Sequence, residues 1–296
     1  MPCRDRLKRC QMSAGSRSDG RSISTAIRVA GRRLLEKLPF LDALFRRFIW
    51  SRIHFPEAEM RLMNSLPRHS VDVAVDVGAA MGGYCWILGR ISNEVWAFEP
   101  GPEHYSYLRR MLFLTNINLV RAAVGFERCE RALYTPGDDV AARHSATLSV
   151  GNPIVQSAHT RVARVDQVSL DAYLGEALGP GRSVDVIKID VEGYELEVIR
   201  GAMRILSQHY PLLICEIEVR HNANYGEVFS ALRSVGYSCF FCRGGHYHEL
   251  LGNDISPLQS EADLRVRLSP TYNPARNEYI NNFVFQHPRS RVKVMK

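Results

Sequence analysis

The sequence has no long hydrophobic run. Its apolar stretches, such as PLLIC at Pro211–Cys215, are no longer than a strand, whereas a helix that crosses a membrane needs about 20 apolar residues. The start of the chain shows no apolar core of a signal peptide, and the seven cysteines are an odd and scattered set, which is typical of a reducing compartment. We therefore expect a cytoplasmic protein.

Most of the chain lacks an excess of basic over acidic residues. Residues 1–55 carry 13 Lys and Arg against 4 Asp and Glu, whereas residues 56–296 carry 25 against 27, although the net charge of the whole chain is +7. Phosphate binding requires basic side chains in the binding surface itself. We therefore expect no nucleic-acid partner for the body of the protein.

The excess of basic residues belongs to an N-terminal segment with two parts. Residues 1–22 are rich in Arg, Ser and Gly, which predicts a disordered basic tail. Residues 23–65 are predicted to form an amphipathic helical arm, because apolar side chains recur at steps of three and four residues: Leu34, Leu38, Leu41, Phe45 and Phe48. We expect the arm to pack against the body of the protein; alternatively, residues 23–55 rest on an anionic membrane surface.

Strands alternate with helices from Val71 onward. VDVAVDV, EVWAFEP and INLVRAAVG are predicted strands, with helices after the first two. An irregular region follows at 125–183, where a short helix is predicted to begin with Asp171 as its cap. The alternation resumes with VDVIKID, a helix from about Tyr194 to Leu206, PLLICEIE, YSCFFC and NFVFQ. This order predicts one α/β domain over residues 66–290, built on a doubly wound, mostly parallel sheet.

A glycine-rich turn follows the first predicted strand. In AVDVGAAMGG, Gly78 and Gly82 flank Ala80, and small residues there let a ligand approach the backbone at a helix N-terminus. Glu99 stands 21 positions after Gly78, at the end of the second strand, where a carboxylate accepts hydrogen bonds from the hydroxyls of a ribose. These features predict a nucleotide-containing cofactor, and an NAD-dependent oxidoreductase would share both.

Several segments, taken in order, resemble the FkbM-type methyltransferases, which use S-adenosylmethionine. The resemblance runs from about Val71 to Phe285 and rests on VDVGAAMGGY, WAFEPGPEHYSYL, VSLDAYL, KIDVEGYELEVIRGA and PLLICEIE. It implies a seven-stranded, Rossmann-like methyltransferase fold whose last strand is antiparallel. It also implies methyl transfer to a hydroxyl of a sugar, a glycan or a polyketide-like small molecule. KIDVEG does not suit an NAD enzyme, and a non-catalytic cofactor-binding protein, docked on a membrane by its basic arm, stays as a second alternative.

The resemblance also implies roles for residues at the cofactor. Asp76, Gly78 and Gly82 would line its methionine end, and Glu99 would hold its ribose. Ala122 and Ala123 would lie near its adenine. The chain departs from the family at Ala80, where the family usually has Asn, so any polar contact of that Asn is missing here.

Four acids stand where the strand VDVIKID gives way to a helix: Asp190, Glu192, Glu195 and Glu197. The helix dipole explains Glu195, and pairing in solvent explains Glu197. Asp190 and Glu192 instead lie at the mouth of the strand, where an alcohol acceptor needs a base for its proton. Asp190 is our first candidate for the base or for a group that orients the acceptor, and Glu192 is the second.

Other polar residues extend this edge of the predicted sheet. Glu216 ends the next strand and is a further catalytic candidate, although an ion pair with Lys188 would explain it equally well. His221 follows Glu216, and His144 lies in the irregular region; both are candidates for contact with the acceptor.

Metal ligation is not expected. Cys239, Cys242, His246 and His248 are ligand types that zinc prefers, but SCFFCRGGHYHEL reads as a strand, a Gly-Gly turn and a second strand, and residues three apart on a strand point to opposite faces. The acids around Asp190 are a possible Mg²⁺ site, but the sequence offers no identifiable third ligand.

Overall fold

The computed structural model of the protein describes residues 57–112, 115–137, 146–156, 159–267 and 279–295. The strands are β1 (Val71–Val77), β2 (Ser92–Phe98), β3 (Ile117–Val120), β4 (Ala123–Val124), β5 (Cys129–Pro136), β6 (Thr160–Val168), β7 (Val184–Ile189), β8 (Leu212–Glu216), β9 (Ser238–Arg243), β10 (His246–Leu250) and β11 (Asn282–Gln286). The helices are α1 (Ala58–Asn64), α2 (Gly83–Ile91), α3 (Pro102–Met111), α4 (Leu170–Ala177), α5 (Glu195–Arg200), α6 (Met203–Gln208), α7 (Tyr225–Ser234) and α8 (Glu261–Arg267).

The main sheet confirms the predicted α/β architecture. Within the described ranges its order is β10-β9-β11-β8-β7-β1-β2-β3, and β3, β2, β1, β7 and β8 pair in parallel. The last strand, β11, is antiparallel to both β8 and β9. Seven strands were expected. Within the described ranges the sheet has an eighth, β10, which pairs with β9 as a hairpin at one edge.

Helices cover both faces of this sheet. β1 and β7 are buried along nearly their whole length, as expected for central strands of a doubly wound sheet. On one face, Val73 and Val75 pack in a cluster with residues of α4, α5 and α7. On the other face, Val71 and Ala74 pack with α1 and α2. The carboxyl ends of the parallel strands therefore meet at one edge, where such folds bind ligands.

The irregular region forms a second, smaller sheet. Its described strands have the order β4-β6-β5, with β5 and β6 antiparallel over Cys129–Pro136 and Thr160–Val168. The predicted strand INLVRAAVG is therefore two strands in different sheets, because β3 pairs with β2 whereas β4 pairs with β6.

Two predictions about helices are wrong in detail. The helix predicted from Tyr194 to Leu206 is divided into α5 and α6 at Gly201, where a Cβ would lie 2.0 Å from the Gly125 carbonyl oxygen. Ser169, not Asp171, caps α4 by accepting a hydrogen bond from the Ala172 amide. The Asp171 carboxylate instead accepts bonds from the Arg204 and Ile205 amides, at 2.8 and 3.0 Å, and so caps α6.

Most of the predicted N-terminal segment lies outside the described residues, as do the tail 1–22, the proposed membrane contact at 23–55 and His144. The described end of the arm is α1, whose Met63 is buried in the α2 face of the core. Among the residues that the structure describes, no helix is both long and apolar enough to cross a membrane.

Candidate active site

The glycine-rich turn between β1 and α2 depends on left-handed backbone conformations. Gly78 and Gly82 both have φ of 82°, and Ala80 has φ of 43°, a region that alanine rarely adopts. A Cβ on Gly78 would lie 1.9 Å from the carbonyl oxygen of Asp190. The turn after β1 and the turn after β7 are therefore in direct backbone contact.

Glu99 closes this turn from the end of β2. Its carboxylate accepts hydrogen bonds from the Ala80 amide at 2.8 Å and from the Gly101 amide at 2.7 Å. Burial raises the pKa of Glu99 to about 7, although both amides act in the opposite direction. A buried acid with this pKa changes its charge near neutral pH.

A cleft opens beside the turn, and its empty volume of about 510 Å³ includes open solvent. Its wall includes seven residues predicted to serve the cofactor or catalysis: Gly78, Ala80, Glu99, Ala122, Ala123, Asp190 and Glu192. Phe98, Leu133 and Leu148 add apolar surface, and His104 is a polar wall residue that the sequence reasoning missed.

Asp76 and Gly82, expected at the cofactor, are not among the residues that line this cleft. Asp76 is 2% exposed and accepts a hydrogen bond from the Cys85 thiol at 3.1 Å. Burial raises its pKa to about 6. A Cβ on Gly82 would lie 2.6 Å from the Met111 side chain, so this glycine lets α2 pack against α3. Both residues support the turn from inside the protein.

Asp190 and Lys188 form an ion pair at the end of β7, in which Lys188 is buried and Asp190 is partly exposed. Lys188 is 1% exposed, and its Nζ lies 3.5 Å from Asp190 Oδ2 and 4.9 Å from the centre of the Tyr84 ring. Burial acts to lower the pKa of Lys188, but the Asp190 and Glu216 carboxylates outweigh it and raise that pKa. The ion-pair partner of Lys188 is thus Asp190, in place of the alternative partner Glu216.

Glu216 lies on the adjacent strand and is held by Asn281, whose amide donates to both Glu216 and Glu218. Burial, together with the nearby Asp190 charge, raises the pKa of Glu216 well above its usual range. Glu216 therefore favours its neutral form.

Glu192 lies in a strained turn that is held in place by hydrogen bonds from residues distant in the sequence. Its φ is 50°, and its carbonyl oxygen accepts hydrogen bonds from Thr147 Oγ1 at 2.7 Å and Asn152 Nδ2 at 2.8 Å. Strain of this kind persists only where surrounding contacts enforce it, and it is frequent at functional sites. Sequence reasoning missed Thr147 and Asn152, because nothing local distinguishes them from ordinary loop residues.

His221 contacts the same turn. Its Nδ1 lies 2.5 Å from Glu192 Oε2, and a Cβ on Gly193 would lie 2.4 Å from the His221 carbonyl oxygen. The structure thus brings Glu192 and His221 together, at the end of two adjacent strands.

The other two acids of the turn differ from each other. Glu195 is 1% exposed and accepts hydrogen bonds from the Gly193 amide at 2.7 Å and from Asn222 Nδ2 at 3.1 Å, and burial raises its pKa to about 7. Glu195 therefore stabilises the turn from a buried position, in addition to lying at the start of a helix as predicted. Glu197 pairs with Arg200 at 2.7 Å, which confirms its predicted pairing on the surface.

The segment with Cys239, Cys242, His246 and His248 is the predicted hairpin. β9 and β10 pair across Gly244 and Gly245, which both have positive φ. In the part of the chain that the structure describes, no group of three or more His, Cys, Asp or Glu side chains is placed to hold a metal ion.

Comparison with known proteins finds matches to the region of the chain that contains these residues. The sequence profile of the family described as "Methyltransferase FkbM domain" matches residues 76–239, which is more than half of the chain. This range contains the glycine-rich turn, Glu99, Asp190, Glu192 and His221.

Two curated relatives match at 29% identity. "Methyltransferase 1" of Beauveria bassiana matches over 154 residues, which are 47% of this chain and 60% of the relative. "Hexuronic acid methyltransferase AglP" of Haloferax volcanii matches over 155 residues, which are 49% of this chain and 56% of the relative. The chain thus spans less than two thirds of either relative. The crystal structure of methyltransferase FkbM from Methylobacillus flagellatus aligns at 16% identity and a TM-score of 0.42, covering 73% of this chain and 44% of that one.

Proposed function

The chain belongs to the FkbM methyltransferase family, and on that premise we propose that it is an S-adenosylmethionine-dependent O-methyltransferase. Its acceptor is a hydroxyl of a sugar, a glycan or a polyketide-like small molecule. One observation carries the proposal: Glu99 and Asp190 both contact the Gly78–Ala80 turn, so a cofactor carboxylate and an acceptor carboxylate border one cleft.

The wall of the cleft fits S-adenosylmethionine. Gly78 lines the cleft, and its missing side chain makes room for the Asp190 carbonyl beside the turn. Glu99 presents a buried carboxylate that can accept bonds from both ribose hydroxyls, and the small Ala122 and Ala123 leave room for the adenine. The cofactor would supply an electrophilic methyl group on a sulfonium centre, whose sulfur leaves uncharged.

The chain must then position the acceptor oxygen and accept its proton. An alcohol requires placement about 3 Å from the methyl carbon and a base within hydrogen-bond reach. Asp190, paired with Lys188, is suited to orient the hydroxyl. Glu192 borders the same cleft, and Glu216 lies beside Asp190 as a neutral acid that can donate a hydrogen bond.

The first test measures cofactor binding by calorimetry. S-adenosylmethionine and S-adenosylhomocysteine are expected to bind in the micromolar range, whereas NAD is not. Binding of NAD alone would contradict the proposal and indicate an NAD-dependent oxidoreductase.

The second test measures transfer from methyl-labelled S-adenosylmethionine. The acceptors are p-nitrophenyl glucosides and glucuronides, and glycans extracted from the source cells; the glucuronides are included because one relative is named as a hexuronic acid methyltransferase. Label in a base-stable ether is expected. Cofactor binding without label in any product would favour a non-catalytic cofactor-binding protein.

A further inference from the structure

We propose that His221 is the general base for the acceptor hydroxyl and that Glu192 is the residue that positions it. This inference rests on the proposed methyl transfer, and it reassigns Glu192 from a base to a positioning residue. The observation behind it is the 2.5 Å contact between His221 Nδ1 and Glu192 Oε2. A carboxylate that fixes one nitrogen of an imidazole leaves the other nitrogen for proton transfer.

Both partners of this pair are held rigidly. His221 is 8% exposed, and its amide donates to the Glu218 carbonyl oxygen at 3.1 Å. The Glu192 backbone is fastened by Thr147 and Asn152 in its strained conformation. Gly193 lets the two backbones approach more closely than a side chain would allow. The loops that follow β7 and β8 thus meet at the contact between the His221 imidazole and the Glu192 carboxylate.

The contact determines which nitrogen carries the proton. An ionised carboxylate only accepts hydrogen bonds, so His221 Nδ1 must donate, and in the neutral imidazole Nε2 is then the acceptor. Nε2 forms no hydrogen bond or ion pair with any residue in the described part of the chain. Imidazole is also the side chain whose unperturbed pKa lies near neutral pH, which suits it to take a proton from an alcohol.

The neighbouring carboxylates are less suited to that task. Asp190 Oδ2 lies 3.5 Å from the buried ammonium of Lys188, so this carboxylate is already engaged in an ion pair. Glu216 favours its protonated form. Asp190 therefore orients the hydroxyl, and His221 removes the proton.

The acceptor oxygen forms a bond to the methyl carbon while the carbon–sulfur bond breaks, and its electron pair stays on the sulfur. The hydroxyl proton passes to His221 Nε2, which gives an imidazolium beside the Glu192 carboxylate. That proton then leaves to water, and no oxidant, reductant or metal is required.

The first test is spectroscopic and needs no acceptor. The full chain, labelled with ¹⁵N in histidine, is examined at pH 8 by long-range ¹H–¹⁵N correlation, with His221 assigned by loss of its signals in His221→Gln. We expect the Nδ1–H tautomer in the wild type. Glu192→Ala should shift His221 toward the Nε2–H tautomer, and Glu197→Ala, which removes a nearby surface acid, should leave it unchanged. An Nε2–H tautomer in the wild type would overturn the proposal.

The second test uses any acceptor that the wild type methylates. His221→Gln is expected to lower kcat at least 100-fold, while KM and the Kd for S-adenosylmethionine change less than about threefold. Glu192→Ala should lower kcat about 10-fold or more with the same unchanged KM. Normal kcat in folded His221→Gln would overturn the base assignment. If the cofactor binds but no acceptor is methylated, the proposed function fails, and the tautomer alone decides the Glu192–His221 pairing.

Discussion

The carbonyl oxygen of Asp190 lies where a side chain on Gly78 would begin. The distance from that oxygen to an ideal Cβ on Gly78 is 1.9 Å, and the Asp190 amide donates to the Val77 carbonyl oxygen at 3.0 Å. The turn after β1 and the turn after β7 are therefore in direct backbone contact. A change in either turn must displace the other.

Gly78→Ala is expected to lower the free energy of unfolding by at least about 2 kcal/mol, because it adds both a left-handed alanine and a backbone collision. Affinity for S-adenosylhomocysteine should fall in parallel. Gly226→Ala is the matched control, since nothing lies within 4 Å of that Cβ, on the first turn of α7. Urea unfolding and calorimetry measure both effects; equal stability of the two variants would contradict the collision.

Ala80→Asn is expected to stabilise the protein. Ala80 has φ of 43°, and Asn tolerates the left-handed region better than alanine does. We expect the free energy of unfolding to rise by about 0.5 kcal/mol. Ala80→Val should have the opposite effect, because a β-branched side chain suits that region least. Urea unfolding measures both changes, and an Asn variant less stable than the wild type would contradict the prediction.

Glu99 should make cofactor affinity depend on pH. Its pKa is raised to about 7 by burial, so the carboxyl is protonated below that pH and loses acceptor sites for the ribose hydroxyls. Affinity for S-adenosylhomocysteine should therefore rise as the pH increases from 6 to 8. Glu99→Gln should bind at least 10-fold more weakly and remove the pH dependence. Calorimetry across this range is the measurement, and unchanged affinity in Glu99→Gln would refute the ribose assignment.

Asp190→Asn should separate binding from turnover. Asn keeps the shape of the side chain but loses the charge that faces Lys188. We expect kcat to fall about 10- to 100-fold, with the Kd for S-adenosylmethionine changed less than about threefold. Adding Lys188→Met should recover stability lost in Asp190→Asn, because it removes the buried unpaired cation. Single-turnover assays and thermal unfolding test this, and normal turnover would move the orienting role to another residue.

Local patterns predicted the scaffold of the site well. The strands VDVAVDV and NFVFQ match the structure to the residue. Glu99 reaches the cleft as its spacing from Gly78 predicts. These features depend on short-range periodicity and on the rule that parallel strands end at one edge.

Long-range side-chain contacts were not predictable in this way. Asp171 follows the local rule for a cap, but it caps a helix 33 residues away. Thr147 reaches the Glu192 carbonyl across 45 residues. Glu195 stands at a helix start, where exposure is usual, yet it is buried against the Gly193 turn. In each case the choice of partner is made by tertiary packing, which a single sequence does not encode locally.

The two hydrogen bonds on the Glu192 carbonyl have a consequence for protein engineering. They fasten the segment between β5 and β6 to the core at Thr147 and Asn152. These two side chains hold the backbone of the turn at Glu192. The segment between β5 and β6 could therefore be exchanged with that of a relative to introduce a different acceptor preference. Such a chimera should keep its activity only when an equivalent hydroxyl and amide are carried along with the graft.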